Sequence, residues 1–393
     1  MIVLSAMRRL LLLASAMVFF DVVFFSAIAP LLPDYVSELG LSKAQAGVLS
    51  ASYAAGTLIV ALPAGLLASR IGPRRTVIGG LLLLGFASVA FGFAQQFVLL
   101  DAARLVQGGA GALIWSGALA WLIGAAPVER RGSLIGVVLG TAVAGALLGP
   151  VLGALAAEVG TEWVFSAVLG VALALAVVAA RTPDAEPLEP QSLHEVAETV
   201  LSRPILVSIA FVAVPSLMFG AVDVLAPLQI ASLGGDHVLI AAGFICGAAL
   251  EAALAPVVGR FSDRVGRRLP FMVGLTICAV AMAAIALGQV TGVVLAGLML
   301  SSVGGGICFT PALTMLSDLA ESNRLHQGFA AGLANMAWAV GQVVGGIAGG
   351  AAASVAGNAA PSMVIIALLL CTVAFAFHGA RRPALRTAES QVG

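Results

Sequence analysis

The chain has 393 residues, of which 61% are hydrophobic and only 10% charged, and its formal net charge is zero. Its mean hydropathy of +1.09 excludes a soluble domain of this size and is typical of a chain that crosses a membrane repeatedly. A neutral chain offers no electrostatic reason to bind nucleic acid or an acidic macromolecule. We therefore predict an all-α, multi-pass membrane protein that contacts the lipid bilayer and has no nucleic-acid partner.

Twelve apolar segments are long enough to cross a bilayer as helices, which takes about 20 residues each. They are residues 9–36, 44–68, 76–94, 97–124, 132–156, 162–181, 204–232, 237–260, 268–288, 291–317, 325–352 and 360–380. The longest polar connection, 182–203, includes the capping-box pattern Ser192-Leu-His-Glu195 and is predicted to be a cytoplasmic linker with a short surface helix. The linker divides the chain into two bundles of six helices, residues 1–181 and 204–393.

The basic residues fall almost entirely on one side of these spans. Lys43 is on the other side, and Arg104 lies inside the fourth span. This asymmetry predicts that both termini are cytoplasmic in the cell (inner) membrane. The residues predicted to be cytoplasmic are Arg8, Arg9, Arg70, Arg74, Arg75, Arg130, Arg131, Arg181, Arg203, Arg260, Arg264, Arg267, Arg268, Arg324, Arg381, Arg382 and Arg386.

Three acids, Asp21, Asp223 and Glu251, lie well inside the first, seventh and eighth spans. A charged side chain there costs at least about 3 kcal/mol unless it faces a partner or a wet cavity. An isolated carboxyl in such a place can bind and release protons near neutral pH, and it can also hold a cation. Arg104 is the only basic residue inside a span, so it cannot neutralise all three acids. Structural pairing of single acids, including an Asp101–Arg104 ion pair, remains the alternative.

Residues of the tenth and eleventh spans add to the interpretation of a polar cavity inside the membrane. Asn335, Trp338 and Gln342 share one face of the eleventh span, where they would add amide and aromatic groups to a cavity. Three glycines, Gly304 to Gly306, precede Pro311 and predict a flexible or broken tenth helix.

The four cysteines have no metal-ligand spacing, and the chain contains no H-E-x-x-H, G-x-S-x-G or P-loop pattern. We therefore predict no metal site, no cofactor and no enzymatic activity.

Two loops repeat at an offset of about half the chain, each between the second and third spans of its half. The first runs from Gly65 to Arg75 as GLLASRIGPRR, and the second from Gly259 to Arg268 as GRFSDRVGRR. Duplicated halves with a binding site between them are typical of secondary transporters.

These motifs resemble those of the major facilitator superfamily. The loop with Asp263, Arg264, Gly266 and Arg267 is similar to its signature loop, whereas the first copy has Ser69 in place of the acid. The run from Arg104 through Gln107-Gly108 resembles its fourth-helix element. The fifth span, with Gly145, Gly149 and Pro150, resembles the motif of its antiporter branch. The first span, with Asp21 and then Pro30 to Tyr35, is similar to that of drug:proton antiporters and vesicular amine transporters.

The resemblance implies a monomeric, proton-coupled antiporter of the multidrug efflux and amine transport kind. It would export lipophilic or aminergic organic cations by alternating access of its two halves. The alternative is a proton-coupled or facilitative transporter of a neutral or anionic small metabolite. Protons and substrate would bind at Asp21, Asp223, Glu251, Arg104, Asn335, Trp338 and Gln342. Conformational gating would involve Asp263, Arg264, Gly266, Arg267, Arg70, Gly72 and Arg74, with Asp263 meeting arginines across the halves in the outward-open state.

Overall fold

The structure, a computed structural model, describes residues 2–127, 130–184, 200–323 and 327–379. The predicted surface helix of the linker lies outside these residues, as do Arg324, Arg381, Arg382 and Arg386. The first half contains helices α1 (Ile2–Ser26), α2 (Ile28–Glu38), α3 (Lys43–Ile71), α4 (Pro73–Gly92), α5 (Phe97–Ala125), α6 (Arg131–Val159) and α7 (Thr161–Arg181). The second contains α8 (Arg203–Ser232), α9 (His237–Val265), α10 (Arg268–Leu287), α11 (Thr291–Ser322), α12 (Gln327–Ala356) and α13 (Ala359–Gly379).

Twelve of the described stretches are long and apolar enough to cross a membrane, with α1 and α2 together forming the first. This confirms the predicted all-α fold with twelve membrane spans. Buried side chains form two clusters, one built almost entirely from α1–α7 and the other from α8–α13. Each half therefore packs around its own apolar core.

The first span is interrupted at Ala27, where α1 ends and α2 begins. The predicted first span, 9–36, is confirmed as a span over Met7–Glu38 that contains this one-residue interruption. Pro30 supplies a physical reason, because proline has no N–H and its ring clashes with the carbonyl four residues earlier. Backbone carbonyls near such a break need other donors in a membrane.

The tenth span, by contrast, is one continuous helix, α11, through Pro311. The prediction of a broken helix at Gly304 to Gly306 is wrong. If Gly304 carried a side chain, its Cβ would lie 2.9 Å from Cys278 Sγ. A Cβ at Gly306 would lie 2.5 Å from Glu251 Cγ. The three glycines therefore make room for neighbouring helices rather than a hinge.

The two ends of the bundle differ in composition. The arginine-rich end carries the α3–α4 and α9–α10 loops and the start of α8. At the opposite end the halves contact each other directly. Lys43 Nζ donates to Asn358 Oδ1 at 2.8 Å, and His237 Nε2 lies 2.9 Å from Glu158 Oε1. α3 and α12 also pack closely there, since a Cβ on Gly47 would lie 3.1 Å from the Cα of Gly350.

The glycines near the arginine-rich end of α3, α6 and α9 are not packed in this way. A Cβ on Gly65, Gly136, Gly140 or Gly259 would meet no described atom within 4 Å. The halves are therefore in direct contact at the opposite end, whereas these four glycines near the arginine-rich end have no close neighbour.

Candidate transport site

A cavity of about 210 Å³ lies between the two halves. Its walls combine aromatic rings, serine hydroxyls and two acids, and no lining residue is basic. The residues that line it are Phe25, Ser26, Ile28, Ala29, Ser50, Ala146, Pro150, Phe219, Val222, Asp223, Phe244, Ala248, Glu251, Leu298, Ser301, Ser302, Trp338 and Gln342.

Asp223 lies in the cavity wall on α8 and accepts a long hydrogen bond of 3.5 Å from Gln342 Nε2. Close packing of α8 on α12 produces this contact, because a Cβ on Gly220 would lie 2.9 Å from Gln342 Cα. Trp338, one turn earlier on α12, lines the same cavity. Asn335 is half-buried and is not among the lining residues. The structure thus brings Asp223, Gln342 and Trp338 together and leaves Asn335 apart.

Glu251 lies on α9, with its side chain against the backbone of α11 at Gly306. No described side chain donates a hydrogen bond to its carboxyl, although the residue is only partly exposed. The sequence left open whether this acid braces its helix or takes part in transport. Glu251 lines the cavity, and its part in transport stays a prediction.

Asp21 is buried, at only 2% exposed, and is not among the residues that line the cavity. Tyr53 Oη donates to its Oδ1, and Trp115 Nε1 donates to its Oδ2 at 3.0 Å. Both donors are neutral, so the carboxyl is hydrogen-bonded without being paired to a base. In the sequence, Tyr53 and Trp115 can be recognised as polar residues inside predicted spans. Nothing in the sequence around them predicts that they contact Asp21.

Phe25 contacts an aromatic residue of each half. Its ring centroid is 5.2 Å from that of Tyr53, which donates to Asp21, and 5.1 Å from that of Trp338 in the other half. Phe25 itself lines the cavity, whereas Asp21 does not. The Phe25 ring therefore contacts both the tyrosine that binds Asp21 and the tryptophan of the cavity wall.

Arg104 binds the interrupted first span rather than an acid. Its Nη1 donates to the Phe24 carbonyl at 2.8 Å, and its Nη2 donates to the Phe25 carbonyl. The guanidinium carbon also lies 4.9 Å from the Tyr53 ring centroid, within cation–π range. Asp101 instead accepts from the Ser52 hydroxyl. The Asp101–Arg104 ion pair considered as an alternative does not form in this structure.

Glycines in α5 allow these groups to meet. The Cβ of a larger residue at Gly108 would overlap the Tyr53 backbone, and at Gly111 it would lie 2.7 Å from Asp21 Oδ1. Because the helices approach so closely, Tyr53 and Asp21 face each other across α5 without intervening side chains.

Glycines in α6 likewise allow that helix to pack closely against α1. A Cβ on Gly145 would lie 2.7 Å from the Phe19 carbonyl oxygen, and one on Gly149 would lie 2.6 Å from that of Val23. Pro150 follows and lines the cavity. These residues therefore set the position of α1, which carries Asp21, and they form part of the cavity wall.

Comparison with known proteins identifies the family. The profile described as Major Facilitator Superfamily matches residues 12–250 and 216–392. The chain belongs to this superfamily. The predicted family is thereby confirmed, and the chain is a multi-pass membrane transporter rather than an enzyme.

Two relatives of this superfamily member are drug-resistance proteins. A chloramphenicol resistance protein of Streptomyces lividans is 28% identical over 363 residues, which cover 89% of this chain and 91% of that protein. The quinolone resistance protein NorA of Staphylococcus aureus is 24% identical over 191 residues, or 46% of this chain and 49% of NorA.

A solved structure has the same fold as this superfamily member. It is the crystal structure of a bacterial homolog to the human lysosomal transporter Spinster, in an inward-facing and unoccupied conformation. Its TM-score is 0.76 at 13% identity, with coverage of 96% of this chain and 97% of that one.

The signature loops of this superfamily member form ion pairs within each half. Arg74 Nε lies 3.5 Å from Asp184 Oδ2, and Arg74 Nη1 donates to the Thr182 carbonyl at 3.3 Å, which holds the start of the linker against α4. In the other half Arg267 pairs with Asp318 of α11. Neither of these two pairs joins one half to the other.

The other gating candidates occupy the same loops. Arg70 and Arg264 are exposed. Gly72 and Gly266 have φ of +92° and +84°, which L side chains rarely adopt, so glycine is required at both turns. The side chain of Asp263 lies outside the described residues, and its contact with arginines across the halves stays a prediction.

The packing of α6 on α1 can be tested with one pair of substitutions. Gly149→Ala is expected to lower the thermal unfolding temperature, since overpacking of a tight contact costs about 1–3 kcal/mol. Gly140→Ala is the matched control on the same helix, because its Cβ would meet nothing within 4 Å. Alanine favours a helix by about 1 kcal/mol over glycine, so the control should be unchanged or more stable. Equal unfolding temperatures for the two variants in detergent would contradict the packing described.

Proposed function

We propose that this chain is a monomeric, proton-coupled antiporter of the inner membrane that exports lipophilic or aminergic organic cations by alternating access. The observation that carries the proposal is the cavity between the halves, with Asp223 and Glu251 in its wall and no lining base. Two carboxyls in a cavity wall that contains no basic residue favour the binding of a cation.

The aromatic walls support an amphiphilic rather than a small inorganic cation. Phe219, Phe244 and Trp338 supply apolar area and ring faces beside the acids. Aromatic faces attract organic cations by about 0.5–2 kcal/mol each, and they also bury apolar parts of the substrate. A strongly anionic substrate would meet two like charges and no base, so the cavity disfavours it.

The separation of the acids suggests a division of roles. The cavity acids would receive the substrate, and Asp21, buried and outside the cavity lining, would carry protons. Arg104 would hold the interrupted first span beside Asp21 through the Phe24 and Phe25 carbonyls. Exchange would then depend on coupling through alternating access, because the proton and the cation bind different acids.

Alternating access would proceed by rocking of two rigid halves, 1–181 and 204–393. With both termini cytoplasmic, as the positive-inside rule predicts, the arginine-rich end would face the cytoplasm and the closed end would face the outside. Opening to the outside would then separate Lys43 from Asn358 and His237 from Glu158. The two signature loops would close together at the same time.

Transport in proteoliposomes tests the proposal. Vesicles with an acidic lumen should accumulate ethidium, a permanently charged organic cation, while a pH-sensitive dye reports loss of lumenal protons. Both signals should disappear when nigericin collapses the pH gradient. Ethidium movement that is independent of the gradient would contradict proton antiport.

A second candidate substrate is an uncharged drug. The relative from Streptomyces lividans, which aligns with 89% of this chain, is named for resistance to chloramphenicol, an uncharged molecule. Radiolabelled chloramphenicol in the same vesicles distinguishes the candidates. Gradient-driven uptake of chloramphenicol without uptake of ethidium would favour the uncharged substrate class.

A further inference from the structure

A second concave site lies on the outer surface of the C-terminal half, between α8 and α13. This groove has a volume of about 380 Å³ and shares no lining residue with the central cavity. Its lining residues are Arg203, Leu206, Val207, Ala210, Phe211, Val214, Cys371, Thr372 and Phe375.

The walls of the groove are apolar. Leu206 is 44% exposed and Phe375 is 53% exposed. The hydroxyl of Thr372 donates to the Leu368 carbonyl at 2.8 Å within its own helix, so it needs no partner in the groove. Phe211 packs edge-on to Phe375, with ring centroids 6.4 Å apart. Such a surface matches a hydrocarbon chain in shape and polarity.

One end of the groove carries a positive charge. Arg203, the first residue of α8, is exposed and forms no ion pair with any described residue. It is also the only charged residue in the lining. From Arg203 to Val214 the helix rises roughly 16 Å at 1.5 Å per residue. That length is about half of the ~30 Å hydrocarbon core, and therefore about one leaflet.

We propose that this groove binds one phospholipid with an anionic headgroup. Its acyl chain lies between α8 and α13, and its phosphate region pairs with the guanidinium of Arg203. The match of length to one leaflet favours a bilayer lipid. The guanidinium favours a headgroup with net negative charge and repels the cations proposed as substrates.

Native mass spectrometry of the full chain in detergent tests this site. Phosphatidylglycerol and phosphatidylcholine with identical acyl chains are added in equal amounts, and retained lipid is counted. The wild type should prefer phosphatidylglycerol about fivefold, the contribution of one basic residue near a membrane surface. R203Q should abolish the preference. R130Q, which removes an exposed arginine at the start of α6, should behave as wild type.

A third variant tests the acyl-chain position. A210F places a ring in the groove and should reduce retention of both lipids. The site is refuted if R203Q keeps the preference, if R130Q loses it equally, or if a folded A210F retains both lipids at wild-type levels. If A210F does not fold, the comparison of R203Q with R130Q decides alone. Retention of ethidium in place of phosphatidylglycerol would also overturn the proposal.

Discussion

Replacing Asp223 with Asn and Glu251 with Gln in one chain is expected to reduce organic-cation transport at least about a hundredfold. Each carboxylate contributes a charge-assisted contact, typically about 1.5–3 kcal/mol, and about 2.7 kcal/mol corresponds to a hundredfold change in binding. The double variant should remain folded, because Glu251 has no described donor and Asp223 has only one long hydrogen bond. Removing charge from a membrane interior is itself favourable.

The measurement is ethidium binding and gradient-driven uptake for the double variant and for each single variant. Glu38→Gln is the matched control, since Glu38 is an exposed acid at the end of α2 and outside the cavity. The control should bind and transport normally. Wild-type uptake by the double variant would remove the basis for a cation substrate.

Asp21→Asn is expected to lower gradient-driven accumulation by at least about tenfold while leaving ethidium binding within about twofold. Asparagine keeps the size of the side chain but cannot release a proton. The carboxyl does not line the cavity, so the substrate loses no direct contact with it. The amide should also lower stability slightly, because its N–H₂ group would face either the Tyr53 hydroxyl or the Trp115 N–H donor.

A matched variant distinguishes the loss of proton transfer by Asp21 from a defect in the packing around it. Tyr53→Phe removes one donor to Asp21 and keeps the titratable carboxyl. It should retain coupled uptake, with an altered dependence on pH. Accumulation by Asp21→Asn at the wild-type level would exclude Asp21 as the proton carrier. Equal loss in Tyr53→Phe and Asp21→Asn would point to packing of the pocket rather than proton transfer.

Most of the fold is predictable from local sequence. A bilayer requires long apolar helices whose backbone groups bond internally, so hydropathy alone places the twelve spans. The repeated glycine–arginine loops indicate two related halves, and the family profile confirms the superfamily. The acids at 21, 223 and 251 stand out for the same reason, because any charge within an apolar run costs free energy.

The partners of those residues were decided only by the tertiary structure. Asp21 meets Tyr53 and Trp115, which are 32 and 94 residues away in the chain. Arg104 bonds the carbonyls of residues 24 and 25 instead of the acid three positions earlier. Hydrogen bonds act over about 3 Å, whereas periodicity reports only which residues share a helix face.

By itself, the sequence determined which segments enter the membrane and how they repeat. It also determined where charged residues lie inside the membrane, at a cost in free energy. The tertiary structure alone decided that Phe25 contacts both Tyr53 and Trp338, that three glycines of α11 accommodate neighbouring helices, and which end of the bundle is closed. The physical reason is that partition into lipid depends on each segment's own composition. Short-range contacts depend instead on which distant segments the fold brings together.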